Sequence, residues 1–337
     1  MNRMLRIPAF ALLALTSIGA TAGAQTFETV GTRAAGMGGA FVAVADDASA
    51  TYWNPAALAA GSYFSLVLDR SIAEAIPRTG PAGSRSSILF AAGMPALGLS
   101  YYRLRSTIAN PATATDEAAA GRNVAGDVRV NNLVTHQFGV TLVQSIYPGI
   151  SVGTTLKLVR GSALASVVPA GDSEEILDVA DDIAGETSNK FDADLGVMAG
   201  GGRVKAGLTI RNLSEPRFDA PGGFSSIRLE RQARAGVAVA PIDGWVVAAD
   251  FDLLENNGMT GRTRDIAFGT EGKVVKSVTV RAGTRFNTAN SDVVGHIPTA
   301  SFGGSYAVKP SILVDAQVTL GSDRAPRGWG VAARFVY

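Results

Sequence analysis

The stretch GWGVAARFVY, residues 328–337, decides the fold. Taken alternately, Trp329, Val331, Ala333, Phe335 and Tyr337 share one face, while Gly330, Ala332 and Arg334 share the other. That is the period of two expected of a strand whose faces meet different surroundings. Only Val336 departs from it. The run from Trp329 to Tyr337 would measure about 26 Å along a strand, or about 20 Å after a tilt of about 40°. This approaches the height of the apolar band on an outer-membrane barrel, which carries aromatic girdles at its edges.

The same division recurs upstream. Trp245, Val247, Ala249, Phe251 and Leu253 oppose Asp250 and Asp252; Val278, Val280, Ala282 and Phe286 oppose Thr279, Arg281 and Arg285; Ile312, Val314, Ala316, Val318 and Leu320 oppose Asp315, Gln317 and Thr319. A soluble sandwich would alternate as well, so the connections carry the decision. Fourteen strands are predicted near 63–70, 86–94, 97–106, 132–146, 150–164, 190–199, 203–213, 227–240, 245–254, 264–274, 277–287, 299–308, 311–320 and 328–337. Tight turns at Pro95, 147–149, 200–202, 241–244, 275–276 and 309–310 alternate with longer polar loops, among them 107–131, 165–189, 214–226 and 288–298. An even strand count with short and long links in turn is the habit of a transmembrane barrel, and a sandwich has no reason to keep it. The expected fold is therefore all-β, a 14-stranded antiparallel transmembrane β-barrel over residues 62–337, with both termini periplasmic. A strand that ends on an aromatic residue also resembles the signal by which such barrels are recognised for assembly.

The first 24 residues fit export. Arg3 and Arg6 precede an apolar run from Ala9 to Ala20, and Ala22, Gly23 and Ala24 supply a small-residue cleavage site, as in a secretory signal peptide. The run of about 12 residues is too short for a spanning helix, which needs about 20. The chain has no cysteine, which excludes disulfides and an N-terminal lipid anchor on cysteine. A net charge of +1 offers no field for nucleic acid. Hydrophobic residues make up 47 %, without spanning helices, which places the expected protein in the outer membrane of a Gram-negative-type cell, with its lipid as a partner.

Between leader and barrel, residues 25–61 form a separate unit. Gly36, Gly38 and Gly39 permit tight backbone, Asp46 or Asp47 can cap a short helix through ASATYW, and Asn54 followed by Pro55 and Ala56 reads as an N-cap with proline at the first helical position. GTRAAGMGG, residues 31–39, lacks the Lys-Ser/Thr of a P-loop and the G-x-G-x-x-G spacing. His136 falls on a strand face beside Val134, Phe138 and Val140, and His296 in a long loop, with no hydrolase or zinc-protease motif near either. The chain is read as no enzyme, with no cofactor and no metal site. The acidic stretch 171–186 lacks calcium-loop spacing and is read as a solvated loop with room for a short exposed helix. Inward-facing Asp192, Asp194, Asp250, Asp252, Asp265 and Asp315 have Arg203, Arg211, Arg234, Arg281, Arg285 and Arg334 available, which predicts a self-neutralising lumen. A lumen of fourteen strands is too wide for wall side chains to fill, so the compact N-terminal segment is the natural plug.

These residues carry a resemblance. RAAGMGGAFVAVADDASATYWNPAAL, residues 33–58, is similar to the N-terminal signature of the FadL superfamily of outer-membrane transporters for fatty acids and aromatic hydrocarbons. It is particularly similar to the PorV/PorQ-like and TraF-like branches, and FDADLGVMAGGGRVKAGLTIRNLSEPRF, residues 191–218, is also similar to the PorV/PorQ-like branch. The resemblance implies that the plug is a hatch, with Gly36, Gly38, Gly39, Asp46, Asp47, Asn54, Pro55 and Ala56 as its gating residues. It further implies passive, hatch-gated transport of small hydrophobic compounds that bind in the lumen and leave sideways as the hatch shifts. The alternative implied by the PorV-like members is an accessory barrel for protein secretion, surface attachment or envelope assembly, partnered by secretion-system proteins.

Overall fold

The structure, a computed structural model, describes residues 28–76, 81–111, 127–169, 177, 185–220, 226–258, 261–289, 298–322 and 325–337. Two short helices open it, α1 (Thr32–Gly36) and α2 (Ala50–Trp53), followed by a 3-10 helix (Pro55–Ala60). The strands are β1 (Ser65–Ala75), β2 (Ala82–Met94), β3 (Leu97–Pro111), β4 (Val128–Tyr147), β5 (Ile150–Val168), β6 (Glu186–Gly201) and β7 (Val204–Arg211). There follow β8 (Arg217–Phe218), β9 (Ile227–Arg228), β10 (Gln232–Val239), β11 (Trp245–Asp252), β12 (Asn256–Gly258) and β13 (Gly261–Thr263). The chain closes with β14 (Asp265–Val275), β15 (Val278–Asn287), β16 (Thr299–Lys309), β17 (Ile312–Leu320) and β18 (Arg327–Val336). Fourteen of these make one closed antiparallel barrel, while β8–β9 and β12–β13 are separate two-stranded ladders.

Closure is direct. Leu66 stands opposite Phe335 and Ile72 opposite Trp329 where β1 meets β18, so no sheet edge is left along that seam. Alternation follows the expected faces. Exposed apolar residues such as Phe90, Leu99, Phe138, Leu156, Phe251, Phe302 and Val331 cover the outside, while Asp69, Thr155, Asp250, Asp315 and Arg334 are buried within. An exterior of this kind is stable in hydrocarbon, where every backbone group is paired in the ladder. Tyr63 lies against Tyr337 and Phe64 against Phe335 at the terminal end, with ring centroids 6.5 and 6.2 Å apart, as an aromatic girdle would.

The wall is uneven. β4 and β5 run to 20 and 19 residues, whereas β7, β10 and β11 have 8 each. On the low side the chain folds inward: Phe218, Ile227 and Leu229 form a buried apolar cluster with Leu133 and Val159. This accounts for one correction. The strand expected at 227–240 is broken after Arg228, because Leu229 turns into the lumen and its amide donates to Pro216 O. Other strands extend beyond their expected ends toward the long loops, since ladder pairing continues past the apolar band, as in β1, paired with β2 as far as Ala75.

Arg203 is a second correction. It does not face the lumen but lies exposed at a tight turn, donating to Pro241 O at 2.7 Å. The leader, His296 and, apart from buried Leu177 and the residues from Gly185 onward, the acidic stretch 171–186 lie outside the described residues.

Candidate functional site: the plug inside the barrel

Residues 28–58 are almost wholly buried within the barrel. Short apolar and small residues make this possible: Val30, Met37, Phe41, Val42, Ala48, Trp53 and Leu58 pack together with wall residues Leu89, Ala91 and Leu104. Phe41 and Trp53 meet edge to face at 5.7 Å, a favoured aromatic geometry. Trp53 Nε1 donates to Val30 O at 2.7 Å, which ties the two ends of the plug together.

The Asn-Pro-Ala step works as its sequence suggests. Asn54 Oδ1 accepts the Ala56 amide, Pro55 opens the 3-10 helix, and Gly61 closes it. Asn54 Nδ2 also donates to Val42 O at 3.2 Å and to Val197 O on β6 at 3.0 Å, so one side chain joins two parts of the plug to the wall. The wall opposite is hollowed by missing side chains. A Cβ on Gly153 would lie 2.6 Å from Ala56 N, and one on Gly196 would lie 2.8 Å from Pro55 Cδ. The turn is therefore seated by close backbone approach, which only glycine permits.

Gly38 and Gly39 adopt positive φ, 66° and 88°, and a Cβ on Gly38 would meet Thr284 N on β15 at 2.7 Å. Gly36 needs no special dihedral; its Cα packs on Gly303. Gly36 and Gly38 are close-approach positions, whereas Gly39 is required by its positive φ, the nearest atom to a Cβ there being Thr29 Oγ1 at 3.2 Å.

Asp46 and Asp47 do not cap α2. Ser49 occupies the N-cap without a side-chain bond to the helix, and Asp47 Oδ1 instead accepts the Ser49 amide at 2.9 Å and its hydroxyl at 2.5 Å. The other oxygen, Oδ2, accepts from Arg33 Nη1 at 3.1 Å and from Arg334 Nη1 on β18 at 3.0 Å. Burial disfavours the Asp47 carboxylate, but Arg33 and Arg334 outweigh it and hold its pKa down at about 2. Arg33 also pairs Asp46 at 2.5 Å and forks onto Glu271 of β14 at 2.7 and 2.8 Å, the bidentate geometry that guanidinium favours.

The network continues into the wall. Arg334 and Arg281 both bond Asp315, at 2.5 and 3.2 Å, and Arg281 returns to Glu271 at 2.5 Å. Ser305 donates to Asp315 beside them. Two wall carboxylates hold plug backbone: Asp69 accepts the Thr32 amide at 2.5 Å, and Asp250 accepts the Phe41 and Val42 amides at 2.8 and 2.9 Å. Arg234 pairs Asp252 at 2.6 Å and reaches Gly39 O at 3.2 Å. Asp192 and Asp194 pair with Lys157 at 3.0 and 2.7 Å, and Arg285 with Asp265 at 3.4 Å. Sequence reasoning missed Arg33, Glu271, Asp69 and Lys157. Arg33 stands inside the plug motif, but nothing in a single sequence links it to a glutamate 238 positions away.

A cavity of about 60 Å³ remains between plug and wall, lined in part by Glu28, Arg85, Tyr102, Arg285, Ser301 and Gln317. It suits a few waters, and its volume is far below the about 300–1,000 Å³ of a ligand pocket. Among the described residues no three acidic, histidine or cysteine side chains converge as metal ligands.

Three comparisons bear on this arrangement. Residues 85–252 match the family model described as "F plasmid transfer operon, TraF, protein". No curated protein matches the sequence. Among solved structures the chain is similar to the CymD monoaromatic hydrocarbon channel, with TM-score 0.61 and 14 % identity over 91 % of this chain and 97 % of that one. It is also similar to the Pseudomonas putida toluene transporter TodX, at 0.60 and 12 % over 91 % and 96 %. A Pseudomonas aeruginosa FadL homologue gives 0.61 and 14 % over 94 % and 100 %.

Proposed function

We propose that the protein, which has the fold of FadL-type hydrophobic-compound channels, is an outer-membrane barrel for passive passage of small hydrophobic compounds, with residues 28–61 as a movable hatch. The observation that carries this reading is how the plug is held. It is neither continuous with the sheet nor buried by apolar contact alone; a few charged side chains join its N-terminal half to β14, β17 and β18 through Arg33, Asp47 and Arg334. Residues 50–60 lie in the glycine-lined seat of β5 and β6. Released from its ion pairs, the first half can swing while the Asn54–Ala56 step acts as the pivot. Gly36, Gly38, Gly39, Asp46 and Asp47 then belong to the moving part.

Proteoliposomes with a monoaromatic probe test this. Arg33→Ala is expected to raise probe entry several-fold over the native barrel, and deletion of residues 28–61 to raise it further. Entry unchanged in both variants, with folded barrels, would sink the reading.

A second reading draws on the match to the TraF family model and on the filled, ion-paired lumen: an accessory barrel whose partner is a secretion or envelope-assembly protein. It predicts a stable protein partner on affinity purification from the native membrane, with probe entry indifferent to the state of the plug.

A further inference from the structure

The outward faces of β3, β4 and β5 change character at one row of the sheet. From the tight-turn end, β3 presents Leu97, Leu99 and Tyr101, then Arg103. On β4 the series is Leu142, Val140 and Phe138, then His136; on β5 it is Leu156 and Leu158, then Arg160. Register makes the three basic residues neighbours, with Arg103 opposite His136 and His136 opposite Arg160. At a strand spacing of about 4.8 Å, all three fall within about 10 Å. The row beneath is Tyr101, Phe138 and Leu158, also mutually opposed, and the Tyr101 and Phe138 rings lie 5.1 Å apart. Tyr101 Oη and His136 Nδ1 are 2.8 Å apart, a hydrogen bond that fixes the imidazole at the centre of the row. A concavity of about 270 Å³ opens there, lined by His136, Phe138, Arg160, Ser162 and Thr187.

These cations differ from those in the lumen. Arg33, Arg234, Arg281 and Arg334 each meet a carboxylate. β3, β4 and β5 contain no aspartate or glutamate at all, and among the described residues no ion pair reaches Arg103 or Arg160. An arginine on the lipid face is costly at the bilayer midplane and nearly free near the interface. Its usual place is therefore where a headgroup anion can meet it. Here a planar, apolar floor lies on one side of the row and a polar concavity on the other. That is the division of an amphiphile, with an acyl chain on Phe138 and Leu158 and a phosphate forked by two guanidiniums.

We propose that Arg103, His136 and Arg160 form a binding site for the phosphorylated head group of a membrane lipid, in the leaflet at the long-loop end of the barrel. The site is on the outer wall and is independent of what the lumen passes; it rests only on the barrel lying in a bilayer.

The test uses the full barrel in an uncharged detergent, offered phosphatidic acid and phosphatidylcholine of the same chain length, with retained lipid counted by native mass spectrometry. Phosphatidic acid is expected to be retained at least tenfold over phosphatidylcholine. Arg103→Gln with Arg160→Gln should abolish that preference, while Lys309→Gln, an exposed residue at the tight-turn end of β16, should leave it intact. Inorganic phosphate at the same concentration should not displace the lipid. Equal retention of both lipids by the native barrel, a preference that survives the double variant, or displacement by inorganic phosphate would each overturn the proposal. Heat-modifiable gel mobility reports folding, and if the double variant does not fold, the native comparison and the phosphate competition decide alone.

Discussion

The two halves of the plug are held by different physics. The first, from Glu28 to Ser49, is close-packed where Met37 meets Gly269 and Gly283, and it adds charge: Arg33 to Glu271, Asp47 to Arg334, and the carboxylates of Asp69 and Asp250 to backbone amides. The second, from Ala50 to Ala60, is fastened by shape, with Asn54 and Pro55 set into positions where β5 and β6 carry glycine. Charge contacts answer to protonation and to loss of one partner, whereas close packing answers to volume. Under the proposed function, a plug bonded on one side and seated on the other would open from the bonded side. The comparison can be broken from either side.

The largest effect is expected from Arg33→Ala. It takes one of two cations from Glu271, which keeps Arg281, and from Asp47, which keeps Arg334, so the loss is expected near the lower end of the about 3–5 kcal/mol that an unpaired buried charge costs. Amide exchange should accelerate in residues 29–49 well before 50–60; equal acceleration in both would deny that the halves are separate. Next comes volume. Gly153→Val or Gly196→Val pushes a side chain into Ala56 or Pro55, with an expected loss of about 1–3 kcal/mol. Here exchange should rise first in 50–60, the reverse order.

Acid gives a graded version of the first experiment. Asp47 is held at about 2, below its ordinary value of 3.8, so its contribution is complete above about pH 4. It is lost as pH falls from there through 2, amounting to roughly 2 kcal/mol. Protection of residues 29–49 should fall over that window in the native chain, and Asp47→Asn should already be less protected at neutral pH and should lack this component of the fall. The smallest effect is Asn54→Ala, which removes the cap on Ala56 and two carbonyl contacts, at about 1–2 kcal/mol. Thermal unfolding followed by circular dichroism reads it directly.

Much of this was legible in the chain and some was not, for reasons that attach to particular residues. Residues 328–337 alternate because one face meets lipid and the other the lumen, a constraint that acts on every second position and therefore shows in sequence. Asn54, Pro55 and Gly61 mark the 3-10 helix because capping is local. Asp47 misled, since its Oδ1 accepts the Ser49 amide just ahead of α2, while its Oδ2 joins two arginines at 3.1 and 3.0 Å, a role that local sequence does not show. Arg203 misled in the same way, because a residue at the end of a strand is released from the alternation that orders its middle.

By itself, the amino-acid sequence determined the barrel: strand number, the alternation of faces and the parity of turns follow from local periodicity and from the demand that every backbone group in a bilayer be paired. Only the tertiary structure decided how the plug is held in the lumen. Which glycine faces Asn54, which arginine meets Asp47, and that Arg103, His136 and Arg160 stand in one row all depend on the register between strands. Register is set by the closure of the whole sheet, and no single strand encodes it.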